Sequence, residues 1–297
     1  MYKYDVTLLI VTYNPDVDSL LATLLSCIRQ KDVKKEIVIA DDCSKEFPLE
    51  AIEKCFENEQ FFDYQIVRLK SNQGTVKNTL NGVNHAKGEY IKDISPGDLL
   101  YDDHVIRDFL DNANGNDALF GNSVYYSYLD NEIKVYPGLF YPKNIKPYLD
   151  NSDIKYPFLI MRDVILALSY FLKTDVYKKY LEKIQDAAKF AEDTLFMLMV
   201  ADGVKPIYYD RNIVWYEYGG GISTVKNSKW ELIIKEDYRK VGKILVKEHP
   251  EWKLFDDMNE KKLTIRVIYH ILKRRRYFKK KYKSYISYDV EELKRYF

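Results

Sequence analysis

The sequence has 297 residues, of which 46% are hydrophobic and 31% are charged, a balance typical of a water-soluble globular protein with a large core. This composition argues against an intrinsically disordered chain, and the lack of an apolar run of roughly 18 residues argues against a membrane-spanning helix. The net charge of +1 is uneven, because Lys261–Lys283 carries eleven basic residues and no acidic one, which leaves 1 − 11 = −10 for the rest of the chain.

The first hundred residues alternate between short apolar runs and amphipathic segments. Val6–Thr12 is apolar without alternation, as expected for a strand covered on both faces, and Leu20, Leu24 and Ile28 then share one helical face. The later predicted elements are a strand at Glu36–Ala40, a helix at Pro48–Asn58, a strand at Tyr64–Leu69, a helix at Thr75–Ala86 and a strand at Tyr90–Ile94. This alternation predicts an α/β fold with a parallel sheet and helices on its faces.

Beyond residue 98 the pattern is mixed. It predicts a helix at Leu99–Asn112, a strand at Ala118–Tyr128, and helices at Val164–Phe171 and Leu181–Ala201. No composition change indicates a domain boundary before about Asp257.

Polar residues follow each strand of the first half, at the sheet edge where open α/β folds bind ligands. They are Tyr13-Asn14, Asp41-Asp42, Ser71–Gly74 and Ser95–Asp98. A Gly-x-Gly-x-x-Gly motif and a P-loop are both missing, which argues against a dinucleotide-dependent dehydrogenase and a P-loop NTPase. An aspartate pair on its own is more often an Asx turn or a helix cap than a binding site.

Four segments together resemble family 2 glycosyltransferases in order and spacing. They are Leu8–Asn14, Glu36–Ser44 with its Asp41-Asp42-Cys43-Ser44 ending, Asn72-x-Gly74 with Lys77-Asn78, and Ala86-x-Gly88-Glu89-Tyr90-Ile91. The resemblance implies the GT-A nucleotide-sugar-binding fold, with a mostly parallel central sheet flanked by helices, here followed by a C-terminal helical extension. It also implies an inverting enzyme that moves a sugar from a nucleotide-sugar donor to an acceptor hydroxyl.

The same resemblance implies roles for individual residues in donor binding. Asp42 would accept a hydrogen bond from the base, Tyr13 would stack on the base, and Lys77 would lie near the donor. A carboxylate suits uracil or thymine because N3–H of these bases is a donor, so a UDP- or dTDP-sugar is expected. The remaining donor-binding candidates are Thr12, Asn14, Asp41, Asn72, Gly74, Ser95, Asp98, Gly220 and Ser223.

The sequence departs from the family at its metal motif. Where the family has Asp-x-Asp-Asp, this chain reads Ser95-Pro96-Gly97-Asp98 and keeps only the last carboxylate. Mg²⁺ or Mn²⁺ can take further oxygen ligands from the donor diphosphate and water, so Asp98 is the candidate metal ligand. The alternative is that Asp98 caps a helix that begins near Leu99.

The second half contains Ala191-Glu192-Asp193-Thr194 at the start of an apolar helix. Acidic residues there commonly complement the helix dipole, but the family places its catalytic base in such a pair, which makes Asp193 the candidate base and Glu192 its partner.

Tyr216–Thr224 resembles the family's late glycine segment, where Gly220 and Ser223 would meet phosphate, although a plain flexible loop is an equal alternative. A Gln-x-x-Arg-Trp motif is absent, so non-processive transfer is expected.

These inferences divide the chain into a GT-A domain at 1–256 and a basic helical extension at 257–297. The domain would comprise a nucleotide-binding half, 1–98, and an acceptor-side half, 99–256.

Within Lys261–Lys283 an apolar helical face beside basic residues predicts either attachment to an anionic membrane surface or a helix packed on the domain. We expect a cytoplasmic enzyme, peripheral to the inner face of the membrane, with a saccharide or lipid-linked saccharide acceptor in cell-surface polysaccharide synthesis and no nucleic-acid partner. The rival interpretations are a non-catalytic nucleotide-sugar binder and nucleic-acid binding through the tail.

Overall fold

The computed structural model describes residues 2–130, 132–150, 152–219, 228–260, 262, 264–279 and 286–297, with the backbone alone at 228 and 229. In this part of the chain nine strands form a single sheet. Their bounds are β1 Tyr4–Thr12, β2 Lys35–Asp41, β3 Tyr64–Arg68, β4 Gly88–Ile94, β5 Leu99–Leu100, β6 Ala118–Leu129, β7 Glu132–Val135, β8 Tyr170–Lys173 and β9 Ile207–Glu217.

Helices cover the sheet and connect most of its strands. Their bounds are α1 Val17–Ile28, α2 Leu49–Asn58, α3 Thr75–His85, α4 Val105–Ala113, α5 Lys146–Leu149, α6 Thr174–Ile184, α7 Leu195–Ala201, α8 Ser228–Glu248, α9 Lys253–Asn259, α10 Ile265–Lys279 and α11 Val290–Lys294. Short irregular turns lie at Tyr156–Met161, which is π-helical, and at Ala167–Ser169, Glu192–Thr194 and Pro250–Trp252, which are 3₁₀.

The strand order is β3-β2-β1-β4-β8-β6-β9-β5, with β7 paired to β6. The pairs β3–β2, β2–β1 and β1–β4 are parallel, as predicted, while β8 enters antiparallel to both β4 and β6. The chain moves to one side of β1 for β2 and β3 and to the other side for β4. Open α/β sheets bind ligands where the strand order reverses, so a ligand-binding crevice is expected at the carboxyl ends of β1, β2 and β4.

Both faces of the first strands are buried, which explains their uninterrupted apolar sequence. Leu9, Val38 and Ile91 pack into a core shared with α3, α6 and α7, while Leu8, Ile37 and Phe56 belong to a second core under α1, α2 and α4. Asp16 caps α1, because its carboxylate accepts a hydrogen bond from the Ser19 amide at 2.9 Å. The sheet edge is therefore held rigidly from two sides.

Three of the predicted elements are wrong. Leu99-Leu100 forms β5 instead of opening a helix, because it pairs with Trp215 and Val214 of β9, and α4 begins only at Val105. The helix predicted at Val164–Phe171 is a 3₁₀ turn followed by β8, and the one at Leu181–Ala201 is broken between α6 and α7. In each case distant strand pairing or a polar loop overrides an apolar pattern that fits more than one structure.

The C-terminal segment packs on the body of the protein. Val267 of α10 is 1% exposed and joins the first core, while Ile286 and Leu293 pack beside Trp215. On the other face of α10, Ile265, Ile268, Tyr269 and Leu272 remain exposed. Part of the apolar face predicted for a membrane surface is therefore used for packing within the protein.

Candidate active site

The carboxyl ends of β1 and β2 are tied together by backbone and side-chain hydrogen bonds. Thr12 pairs with Asp41 in register, and the Asp42 amide donates to the Thr12 carbonyl at 3.0 Å. Asn14 has a left-handed φ of 44°, and its side-chain oxygen accepts from the Lys45 amide at 3.0 Å. The turns after the two strands thus form one rigid unit.

Asp41, a donor-binding candidate, has its hydrogen-bonding capacity used within the protein. Its fully buried carboxylate accepts from the Ser44 amide at 2.9 Å, from the Ser44 hydroxyl and from Arg68 Nε at 2.8 Å. Arg68 also donates to the Ser44 carbonyl at 2.9 Å. Asp41 therefore shapes the turn that presents Asp42.

Asp42 connects this turn to the start of α3. One carboxylate oxygen accepts from the Gln73 amide at 2.7 Å and the other from the Gly74 amide at 2.8 Å. Gly74 precedes α3 with a φ of 93°, and a Cβ there would lie 2.4 Å from the Lys189 side chain. Asn72 is exposed in the same turn.

Two buried polar atoms at this edge have no hydrogen-bond partner in the described part of the chain. They are Thr12 Oγ1 and Asn78 Oδ1, although the Asn78 amide nitrogen donates to the Ala40 carbonyl at 2.8 Å and to the Thr12 carbonyl at 3.2 Å. Tyr13 follows and is 48% exposed. Buried polar atoms are costly unless they are paired, so these two atoms mark a polar region beneath the carboxyl ends of β1 and β2.

The turn after β4 places Asp98 beside the end of β9. The Glu217 amide donates to Asp98 Oδ1 at 3.0 Å, and no helix begins at Leu99, so the helix-cap interpretation of Asp98 is wrong. The amide of Asp98 also closes the turn onto the Ser95 carbonyl at 3.0 Å. Burial raises the pKa of Asp98 to about 8, an effect opposed by the Glu217 amide and by the buried ammonium of Lys92.

Glu217 supplies a carboxylate where the family's metal motif has lost one. A Cβ added to Gly97 would lie only 2.0 Å from Glu217 Oε2, and Gly97 has a φ of 94° that favours glycine. The Glu217 side chain therefore lies over the position at which the family has its main metal ligand. Burial, together with nearby Asp16, raises the pKa of the Glu217 carboxyl.

Two carboxylates at this turn, those of Asp98 and Glu217, have the chemistry that a divalent cation would require. Asp98 and Glu217 are hard ligands of the kind that Mg²⁺ and Mn²⁺ prefer, and a bound cation would offset the cost of burying two carboxylates. A further acidic cluster, Asp202, Glu248 and His249, lies outside the crevice. There Lys183 already pairs with Glu248 at 2.7 Å and with Asp202 at 3.3 Å, so the negative charge is offset without a metal.

Glu192 and Asp193 lie on the 3₁₀ turn that precedes α7, as predicted for the start of an apolar helix. The Tyr238 hydroxyl donates to Asp193 Oδ2 at 2.6 Å. Burial raises the pKa of both carboxyl groups, and for Asp193 the bond from Tyr238 opposes that rise. Such a carboxylate is a stronger proton acceptor than one in water.

Asp237 of α8 holds the loop that leads into this pair. Its Oδ2 accepts from the backbone amides of Lys189, Phe190 and Ala191 at 3.0, 2.8 and 3.1 Å. Three amides converging on one buried carboxylate oxygen fix the path of the loop. Asp237 and Tyr238 thus position the acidic pair from a single helix.

The same loop contacts the predicted donor-binding half. The Val76 amide donates to the Lys189 carbonyl at 3.1 Å, and Lys77 pairs with Asp186 at 3.4 Å. The Tyr177 hydroxyl donates to Asp93 of β4 at 3.1 Å. The acidic pair is therefore attached to the strand-end crevice through α3 and α6.

The sequence predicts Tyr13, Asp42 and Asp98 at the sheet edge and Asp193 at the start of an apolar helix, but it assigns no role to three residues that hold these side chains or their loops in place. Gly220 and Ser223 lie outside the described residues. Asp237 and Tyr238 lie in an ordinary amphipathic helix, and Glu217 lies at the end of a tyrosine-rich strand. Their importance arises from contacts across the fold, for which the sequence carries no local signal.

The sequence model of glycosyl transferase family 2 matches residues 7–166, which is more than half of the chain. No curated protein sequence matches significantly. One similar solved structure is Staphylococcus aureus TarS 1-349 in complex with UDP, with a TM-score of 0.55, 18% identity, and coverage of 85% of this chain and 69% of that chain.

Two further structures show the same likeness. TarS 1-349 in complex with UDP-GlcNAc has a TM-score of 0.58, 17% identity, and coverage of 91% of this chain and 79% of that chain. The mannosyltransferase PcManGT from Pyrobaculum calidifontis, in complex with GDP-Man and Mn²⁺, has a TM-score of 0.57, 13% identity, and coverage of 93% and 74%. The fold is thus the GT-A fold, as predicted, and the chain belongs to glycosyl transferase family 2.

Proposed function

We propose that the protein transfers one sugar from a UDP- or dTDP-sugar to an acceptor hydroxyl with inversion at the anomeric carbon, and that it releases its product after each transfer. The observation that carries this proposal is the placement of Asp193. Its carboxylate is held by Tyr238, its loop is held by Asp237, and burial raises its pKa. A buried, oriented carboxylate beside a nucleotide-binding edge is what a single displacement requires of its base.

In this proposal Asp193 takes the proton of the acceptor hydroxyl through Oδ1, while Tyr238 keeps Oδ2 in place. The hydroxyl oxygen then forms a bond to the anomeric carbon as the bond to the donor's diphosphate oxygen breaks. One displacement of this kind inverts the configuration at that carbon. Glu192 is the first alternative base, since it lies in the same turn.

The donor would lie across the ends of β1, β2 and β4. Each Asp42 carboxylate oxygen accepts one backbone amide, from Gln73 or Gly74, and keeps a lone pair that would accept a hydrogen bond from the base. The exposed ring of Tyr13 would stack on the base. The TarS complexes with UDP and UDP-GlcNAc support a uridine nucleotide. Lys77, together with Gly220 and Ser223, would meet the diphosphate.

We further propose that Mg²⁺ or Mn²⁺ supports the departure of the diphosphate. Asp98 and Glu217 would hold the ion together with the donor's phosphate oxygens, and the Mn²⁺ of the mannosyltransferase complex supports this choice. Such a cation stabilises the negative charge that develops on the leaving group.

For its setting, we propose a cytoplasmic enzyme at the inner face of the membrane, acting on saccharide or lipid-linked saccharide acceptors for cell-surface polysaccharide. Among the described helices, none is long and apolar enough to cross a membrane. The exposed residues Ile268 and Leu272, close to exposed Arg275 and Arg276, support attachment to the membrane surface.

We also propose that the catalytic domain ends at residue 256 and that the basic extension begins at residue 257, although α9 runs through that position.

A non-catalytic nucleotide-sugar binder is the second candidate, favoured by Gly97 in place of the family's metal ligand. Asp193→Asn distinguishes the two functions, because the carboxamide keeps the shape but cannot take the proton. We expect this variant to bind UDP as the natural protein does and to lose sugar transfer. Asp111→Asn, on an exposed carboxylate of α4, is the matched control and should retain both properties.

If Asp193→Asn transfers sugar at a near-normal rate, the base lies elsewhere, with Glu192 as the next residue to test. If the natural protein binds UDP but releases none from any UDP-sugar, the non-catalytic interpretation holds. Binding to nucleic acid that survives disruption of the donor site and falls steeply with salt would favour the remaining rival.

A further inference from the structure

A cavity of about 230 Å³ lies between the catalytic body and α10. Its walls include Phe158, Met197, Phe255 and Tyr238, and two guanidinium groups, those of Arg162 and Arg274, also face it. Arg162 follows the π-helical turn with a left-handed φ of 57°, and Arg274 lies on the face of α10 that packs on the body. The cavity thus combines apolar walls with two positive charges.

Neither arginine has a carboxylate partner within the described ranges. Arg162 donates to the Asn259 side-chain oxygen and lies over the Phe255 ring at 5.4 Å, whereas Arg274 lies over the Phe278 ring at 5.7 Å. Burial lowers the pKa of both groups, and the two charges repel each other at Arg162. Two like charges in one half-buried cavity cost stability unless an anion joins them.

Elsewhere the chain neutralises its partly buried arginines. Arg211 pairs with Asp102 at 2.5 Å and with Asp108 at 2.8 Å, and Arg295 pairs with Asp103 at 2.9 Å. The Arg162–Arg274 cavity departs from that pattern in a protein with 45 acidic residues. The missing counter-charge is therefore a local property of the cavity, and it is the property expected of an anion-binding site.

The location of the cavity indicates which anion would enter it. Tyr238 forms part of its wall and donates to Asp193 at 2.6 Å, so the cavity is one side chain away from the proposed base. Its lining includes no residue of the turns after β1, β2 or β4, where the donor's diphosphate would bind. An anion in the cavity would accordingly belong to the acceptor.

We propose that this cavity binds a phosphate group carried by the acceptor, close to the hydroxyl that is glycosylated. This inference rests on the proposed function, because it assigns the acceptor side of the same site. Guanidinium groups bind phosphate through paired hydrogen bonds, and dry apolar walls strengthen such bonds. The volume suits a phosphate and its linking atoms, since one water occupies about 30 Å³ of liquid.

The first test measures binding of inorganic phosphate and of glycerol 3-phosphate to the full-length protein saturated with UDP, so that the donor site is blocked. We expect Arg162→Gln and Arg274→Gln each to weaken both ligands by about tenfold or more. Arg275→Gln is the matched control, because it removes the same charge from an exposed position one residue along α10. It should change the affinity by less than about twofold.

Equal weakening by Arg274→Gln and Arg275→Gln would mean that general surface charge attracts phosphate, and it would overturn the proposal. So would tighter binding of acetate than of phosphate, which would make the ligand a carboxylate. Arg162→Lys guards against misfolding, because it keeps the charge but not the paired geometry, and it should bind phosphate more weakly than the natural protein while unfolding at a similar temperature.

A second measurement separates the source of the phosphate from the failure of the proposed function. Affinity for UDP should be unchanged in Arg162→Gln and Arg274→Gln, and a comparable loss of UDP binding would assign the cavity to the donor. Sedimentation with anionic vesicles should be reduced no more by Arg274→Gln than by Arg275→Gln, and a specific loss with Arg274→Gln would assign the cavity to a lipid headgroup. Arginine-dependent phosphate binding in a protein whose Asp193→Asn variant still transfers sugar would refute the proposed base and leave the phosphate site itself standing.

Discussion

Replacing Asp237 tests whether the acidic loop is held in place by a single carboxylate. In Asp237→Ala the amides of Lys189, Phe190 and Ala191 lose their common acceptor. Each buried donor left unpaired costs about 1–3 kcal/mol, and the loop can recover part of that cost by admitting water. We therefore expect a loss of about 3 kcal/mol in the free energy of unfolding, near the lower limit of the sum.

Urea denaturation of the full-length protein measures this loss. With a denaturant dependence of about 3 kcal/mol per molar, the midpoint should fall by about 1 M urea. Asp237→Asn keeps one oxygen but loses the charge, and ionic hydrogen bonds are about twice as strong as neutral ones, so about half of the destabilisation is expected.

Glu236→Ala is the matched control on the same helix. The Glu236 side chain is 44% exposed and, within the described ranges, its ion pair is with neighbouring Arg239 at 2.6 Å, so its removal should change stability by less than about 0.5 kcal/mol. Asp237→Ala should also lower kcat, since displacing a catalytic group by about 1 Å can cost about 100-fold. A midpoint for Asp237→Ala equal to that of Glu236→Ala would refute this view of the loop.

Three further predictions concern the base, the metal and the tail. Tyr238→Phe removes the bond that lowers the pKa of Asp193, so the pH below which kcat/KM falls should rise, and an unchanged or lower value would contradict the assignment. Excess EDTA should reduce transfer, and Asp98→Asn or Glu217→Gln should raise the Mn²⁺ concentration needed for half-maximal activity, whereas full activity in EDTA would exclude a metal role. Ile268→Glu should weaken sedimentation with anionic vesicles without lowering the unfolding temperature, because Ile268 is 45% exposed, and unchanged sedimentation would favour a helix that serves packing alone.

The sequence alone predicts the strands and helices whose hydrophobic pattern fits only one kind of secondary structure. The first four strands, together with α1 to α3, were predicted to within two or three residues, because uninterrupted apolar strands alternate there with amphipathic helices. Leu99-Leu100 and Tyr170–Lys173 were not predicted as strands. Their pairing with Trp215 and with Leu119 is set by residues about 50 to 115 positions away, beyond any local pattern.

At the candidate site, too, motif residues can be predicted from the sequence, whereas contacts between residues far apart in the chain cannot. Asp42 and Asp193 could be proposed from the sequence because a motif and its position along the chain coincide at each of them. The sequence did not reveal that the Asp41 carboxylate is hydrogen-bonded to Arg68 and Ser44, so any part that Asp41 plays in donor binding would be indirect. Nor could it show that Glu217 reaches over Gly97, since the two residues meet only when β9 lies beside the turn after β4.

The stereochemistry of the first product tests the central claim most directly. The released sugar can be followed by proton NMR immediately after mixing the full-length protein with a UDP-sugar that it binds, with water as the acceptor. A single displacement assisted by Asp193 predicts that the sugar first appears with the anomeric configuration opposite to that of the donor, and that Asp193→Asn releases none at a comparable rate. Release with the donor's own configuration would contradict the account, because it would require two displacements or a different chemistry.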